Sequence, residues 1–95
     1  MLMKTMTKED LTRFTELLDS YYNWPTHYEF KWIVPAHQKM EVLIHFEGIE
    51  KIVIKEKLSG KGNYLSLSVT LYLNSSTEVL DIYKKLKSVK GIIQI

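Results

Sequence analysis

Ser59-Gly60-Lys61-Gly62-Asn63-Tyr64-Leu65-Ser66-Leu67-Ser68-Val69-Thr70-Leu71-Tyr72-Leu73-Asn74 is the stretch that decides how this 95-residue chain folds. Leu65, Leu67, Val69, Leu71 and Leu73 fall on one side of an alternating pattern. Tyr64, Ser66, Ser68, Thr70, Tyr72 and Asn74 fall on the other. Side chains of a strand change face at every residue, so the pattern describes a strand with one face in a core and one face polar. The glycines of Ser59-Gly60-Lys61-Gly62-Asn63 supply positive φ where a hairpin turn needs it. The strand is therefore the second arm of a hairpin.

Its first arm is Ile49 to Leu58, with Ile52, Ile54 and Leu58 expected inward and Lys51, Val53, Lys55 and Lys57 outward. Outward lysines suit an edge strand, where charge discourages pairing with another chain. An earlier strand runs from His27 to Val34, with Tyr28, Phe30, Trp32 and Val34 on one face and Glu29, Lys31 and Ile33 on the other. Between these strands, Pro35 and Ala36 open a short helix through about Glu47. Met40, Leu43 and Ile44 are its expected inner stripe, and Gly48 stands where a left-handed C-terminal cap falls. After Asn74, Ser75 and Glu78 have capping-box spacing, and Val79, Ile82, Tyr83, Leu86 and Val89 form one helical face up to Gly91. Ile92 to Ile95 is a short last strand.

Ahead of all this, Thr7 and Asp10 are spaced as another capping box, and Leu11, Phe14, Leu17, Leu18, Tyr21 and Tyr22 recur at helical spacing. Pro25 ends that helix, because proline disfavours helical geometry at the residue before it, Trp24. The expected architecture is α+β: an amphipathic helix over residues 1–23, then a ferredoxin-like βαββαβ sandwich over 24–95. Its four-stranded antiparallel sheet has the order 4-1-3-2, with both later helices on one face. The first helix either lies over the open face of the sheet or projects as a partner contact.

Composition narrows the function classes. With 45% hydrophobic and 25% charged residues, the chain is an ordinary single-core protein. It has no cysteine, so disulfides, thiolate metal sites and cysteine nucleophiles are excluded. Met1 to Thr5 lacks the apolar run of a signal peptide, and no stretch approaches the ~20 apolar residues of a membrane helix. A cytoplasmic protein is the expectation. Residues 1–50 carry five basic and eight acidic side chains, whereas 51–95 carry eight lysines against Glu56, Glu78 and Asp81. Lysine-rich surfaces of this kind are ordinarily solvated faces, and they also suit an anionic partner.

Trp24-Pro25-Thr26-His27-Tyr28-Glu29-Phe30-Lys31-Trp32-Ile33-Val34, then Ser59-Gly60-Lys61-Gly62-Asn63-Tyr64-Leu65-Ser66, then Ile82-Tyr83-Lys84-Lys85-Leu86 before Gly91, resemble in order and spacing the YbeD-like proteins, a small bacterial family of unknown function. The resemblance spans about Trp24 to Ile95. It implies an ACT-like version of the ferredoxin fold, and hence binding or regulation rather than catalysis. ACT domains that bind amino acids generally use a glycine in the loop after the first strand. This chain has Val34-Pro35-Ala36-His37 there, which weakens an amino-acid-sensor reading.

No nucleophile and base, and no metal set, can be assembled by spacing. His37 and Glu41 stand four apart on a helix, but two ligands do not make a site. The glycine turn opens a strand rather than a helix, so it is not a phosphate loop. The expectation is a non-catalytic regulatory or protein-interaction module without a cofactor. Its partner is a protein, a small metabolite or a second copy of itself, with no membrane contact. The alternative is an RNA-binding module in which Tyr64 and Tyr72 stack bases while Lys31, Lys51, Lys55 and Lys57 meet phosphates. Lys31, Lys61, Asn63, Tyr64 and Tyr72 are the candidate contact surface.

Overall fold

The computed structural model describes residues 7–95. Helix α1 (Lys8–Tyr21) starts at a complete capping box: the Asp10 N–H donates to Thr7 Oγ1 and the Thr7 N–H to the Asp10 carboxylate, each at 3.1 Å. Two of the helix's orphan donors are thereby satisfied. The chain leaves the helix at Tyr22 and turns through a cis Trp24–Pro25 bond, with the Trp24 indole donating to Asp19 at 2.9 Å. Strand β1 (Thr26–Pro35) follows, then helix α2 (Lys39–Leu43) between 3₁₀ turns at Ala36–Gln38 and Ile44–Phe46. The hairpin of β2 (Val53–Leu58) and β3 (Tyr64–Leu73), helix α3 (Ser76–Leu86) and strand β4 (Ile93–Gln94) complete the chain.

The sheet order is β2-β3-β1-β4, all pairs antiparallel, which is the ferredoxin-like order read from the sequence. β1 and β3 pair along their whole length, from Thr26 opposite Leu73 to Pro35 opposite Tyr64. Both strands alternate as expected. Tyr28, Phe30, Trp32 and Val34 on β1, and Leu65, Leu67, Val69, Leu71 and Leu73 on β3, are all buried in one core. Full burial of each such side chain is worth about 1.5–3 kcal/mol. Val42, Phe46, Val79, Leu86, Val89 and Ile92 close the core from the helical side.

Helix α1 joins that same side. Leu18 is buried in the common core, the rings of Phe14 and Tyr83 lie 5.7 Å apart, and Tyr22 meets Tyr28 edge-on at 5.4 Å. The helix therefore packs beside α3, and among the described residues the opposite face of the sheet is bare. Of the α1 stripe, Leu11 and Phe14 are half-buried, whereas Leu17 and Tyr21 face outward.

Four further readings need correction. Across α2 and the 3₁₀ turn after it the inner residues are Val42 and Phe46, while Met40 and Ile44 are 68% and 58% exposed. Val42 and Phe46 are also four apart, so the segment carries two apolar stripes of the same helical period, and spacing alone does not say which of them faces the core. Strand β2 begins at Val53 rather than Ile49, because Lys51 adopts a positive φ of 58° in the turn before it. Ile54 and Leu58 do take the core-side positions of β2, opposite Val69 and Leu65, but both are exposed. The short α2 does not cover this edge, and Glu56 stands between them, held by Lys39 at 2.8 Å. At the start of α3, the Ser75 hydroxyl accepts from the Glu78 N–H, but the Glu78 carboxylate takes the Asn74 N–H at 2.6 Å instead of closing a reciprocal box.

Candidate functional site

The bare face of the sheet is built by the side chains that the alternation sends away from the core. Across its strands run three rows: Glu29, Thr70 and Val53; Lys31, Ser68 and Lys55; and Ile33, Ser66 and Lys57. Its middle is a strip of half-buried hydroxyls, Ser66, Ser68 and Thr70, flanked by lysines on both sides. Lys31 Nζ stands 3.9 Å from Glu29 Oε1, a loose exposed pair worth little in water. Lys31, Lys55 and Lys57 against Glu29 leave this middle region mildly cationic.

The five residues singled out from the sequence do not form one cluster. Lys61, Asn63 and Tyr64 gather at the hairpin end, where the Asn63 carbonyl accepts the Ala36 N–H at 2.9 Å and Tyr64 stands opposite Pro35. That bond ties the hairpin to the connection between β1 and α2. Lys31 lies mid-sheet. Tyr72 is at the far end, packed edge-on against His27 with ring centroids 5.0 Å apart. Eight residue steps along β3 separate Tyr64 from Tyr72, about 27 Å at the usual rise. Both rings are about half exposed, at 51% and 56%.

On the covered side, sequence reasoning missed a polar pair inside the aromatic core. The hydroxyls of Tyr28 and Tyr83 are hydrogen-bonded at 3.1 Å among Phe14, Tyr22 and Phe30. Burial raises the pKa of Tyr83 well above its ordinary value, and the bond to Tyr28 raises it further. Tyr28 is raised too, by burial, although its bond to Tyr83 partly opposes the shift. Both hydroxyls therefore stay neutral, as structural groups. Trp32 Nε1 is buried with no hydrogen-bond partner among the described residues, and the Trp32 ring lies between those of Phe30 and Phe46, with centroids 5.1 and 6.1 Å away. The ion pair of Lys39 and Glu56 was missed as well. Its sequence signal is Glu56 itself, a carboxylate in core-side register between Ile54 and Leu58.

His37 and Glu41 are both exposed and lie at the start of the α2 segment. Among the described residues, no group of three or more His, Asp or Glu side chains is placed to hold a metal ion. No helix among them is long and apolar enough to cross a membrane.

The family model described as "Protein of unknown function (DUF493)" matches residues 19–95. The chain belongs to this family. It is the family that includes the YbeD-like proteins, in line with the motifs around Trp24, Gly60 and Tyr83. The DUF493 match begins at Asp19, in the last turn of α1, and takes in the whole sheet, α2 and α3. No curated protein and no solved structure matches the chain.

Proposed function

We propose that this DUF493 protein is a non-catalytic interaction module that docks another protein against its bare sheet face. One observation carries the reading: α1 packs beside α3, through Leu18, Phe14 and Tyr83, and so leaves the face uncovered. Tyr64 and Tyr72 mark its two ends, with apolar ring bodies and polar tips of the kind that anchor protein contacts. The hydroxyl strip between them lets a partner's backbone approach closely. The lysines on either side favour an acidic surface.

The same face gives weaker support to the RNA reading. Stacking platforms set aromatic rings within reach of neighbouring bases, whereas Tyr64 and Tyr72 are separated by most of β3 and Tyr72 is engaged with His27. A small-metabolite site in the loop after β1 is also less favoured. Pro35 has no N–H to offer, and that of Ala36 is spent on Asn63.

Photocrosslinking inside the cell of origin tests the proposal, with a photoreactive residue at Ser68 on the face or at Glu16 on α1. Protein adducts from position 68 that are absent from position 16 are the expected result. Adducts destroyed by ribonuclease would transfer the support to RNA, and equal yields from both positions would remove the face as the docking site.

A further inference from the structure

The geometry points to β2 as the place where a partner protein adds an extended strand, one that alternates acidic and apolar residues. Among the described residues β2 is an edge, bonded only to β3, and all six of its residues are exposed. The Ser59 N–H donates to the Tyr64 carbonyl at 2.8 Å. By the alternation of an antiparallel ladder, Lys57, Lys55 and Val53 also turn their backbone groups towards β3, and those of Ile54, Glu56 and Leu58 point away from the sheet. This is a ready template for strand addition.

The two sides of the edge specify what fits. On the bare face an added strand lies beside Lys55 and Lys57, with Lys31 two strands further in, and opposite charges across a strand pair are the stabilising choice. On the helical side it lies beside Ile54 and Leu58, both exposed. Glu56, the charged residue of β2 on that side, is already matched by Lys39. An acidic row on one face and an apolar row on the other answer both surfaces together.

A second copy of this chain answers neither. A two-fold axis that pairs β2 with its own copy keeps like faces together. The central registers then set Lys55 against Lys55, or Lys55 against Lys57 with Glu56 against Glu56, and like charges directly opposed are destabilising. Strand addition rests on the reading of the chain as a protein-binding module. It concerns the edge of the sheet, whereas a crosslinker at Ser68 reports the face, so either can fail without the other.

The probe is a short capped peptide of alternating glutamate and valine, compared with the same peptide carrying lysine for glutamate, added to the isotope-labelled full chain. The acidic peptide is expected to shift the β2 amides and slow hydrogen exchange at Ile54, Glu56 and Leu58, less so as salt rises. The lysine peptide should do neither. A Lys55→Glu, Lys57→Glu double variant changes only exposed side chains. It should weaken the acidic peptide about tenfold, since each reversed pair swings from attraction to repulsion. Unchanged exchange at those three amides, equal effects of both peptides, or protection that grows with protein concentration alone would overturn the assignment.

Discussion

Gly91 lies in the turn before the last strand, and replacing it with alanine separates two causes of strain. Its φ is +75°, and a Cβ built there would lie 2.8 Å from Pro35 Cγ and 3.1 Å from Pro35 Cδ. The left-handed backbone alone costs a residue with a side chain roughly 1–2 kcal/mol. Driving a methyl group into a ring fixed to the backbone at both ends adds overpacking of about 1–3 kcal/mol. The expected loss for Gly91→Ala is therefore about 3 kcal/mol. At about 4–8 °C per kcal/mol for a domain of this size, the thermal midpoint falls by about 12–24 °C. Gly48 is the internal control, with φ +78° and nothing within 4 Å of its imagined Cβ, so Gly48→Ala carries only the backbone cost. Thermal and urea unfolding followed by circular dichroism give both values. In a Pro35→Ala background the ring atoms are gone, and Gly91→Ala should then cost no more than Gly48→Ala. If the two glycine variants are equally destabilised in the parent chain, or if removing the proline ring leaves the cost at Gly91 unchanged, the steric argument is wrong.

Other variants test other contacts. Leu67 is 0% exposed, so Leu67→Asp places an unpaired charge in the core and should cost more than about 4 kcal/mol, whereas Ser66→Asp, facing Lys57 on the bare side, should stay within about 0.5 kcal/mol in the same denaturation assay. Tyr28→Phe and Tyr83→Phe should each cost about 1–2 kcal/mol, because each strands the other hydroxyl, and a double-mutant cycle should show the pair of changes costing less than their sum. Both tyrosines have folded-state pKa values raised above the ordinary 10.0, so their contribution is complete below that pH and is lost as pH climbs above it. Stability measured against pH should decline by about 1.4 kcal/mol per unit for each tyrosine that ionises on unfolding, and the double phenylalanine variant should lose that slope. Phe46→Ala should cost about 3–5 kcal/mol and Met40→Ser almost nothing, the reverse of what an inner stripe of Met40, Leu43 and Ile44 implies.

How far the residues disclose the structure depends on the length of each pattern. β1 and β3 alternate over ten residues each, long enough that a one-residue slip exposes the whole hydrophobic set, so their faces and pairing were legible in advance. α1 and α3 carry caps at Thr7 and Ser75 that fix where each begins. α2 resists the same treatment because Met40 with Ile44 and Val42 with Phe46 both stand at helical spacing, and so short a segment offers no third turn to choose between the two stripes. β2 was misread for another reason: whether Ile54 and Leu58 are covered depends on how far α2 reaches, which no local pattern encodes. Of the candidate surface, residues on one strand could be assigned to a face, but the distance between Tyr64 and Tyr72 follows from the extended chain itself. The pairing of Tyr28 with Tyr83 joins residues 55 positions apart and left no local trace.

The aromatic stack gives the molecule a built-in optical gauge. Trp32 is sealed between Phe30 and Phe46, while Trp24 sits half-buried near the exit of α1 with its indole on Asp19. Emission from the first should be blue and insensitive to aqueous quenchers until the whole core opens. Emission from the second should respond as soon as α1 lifts away. Single-tryptophan versions of the chain would therefore distinguish peeling of the added helix from collapse of the sheet, without any attached dye.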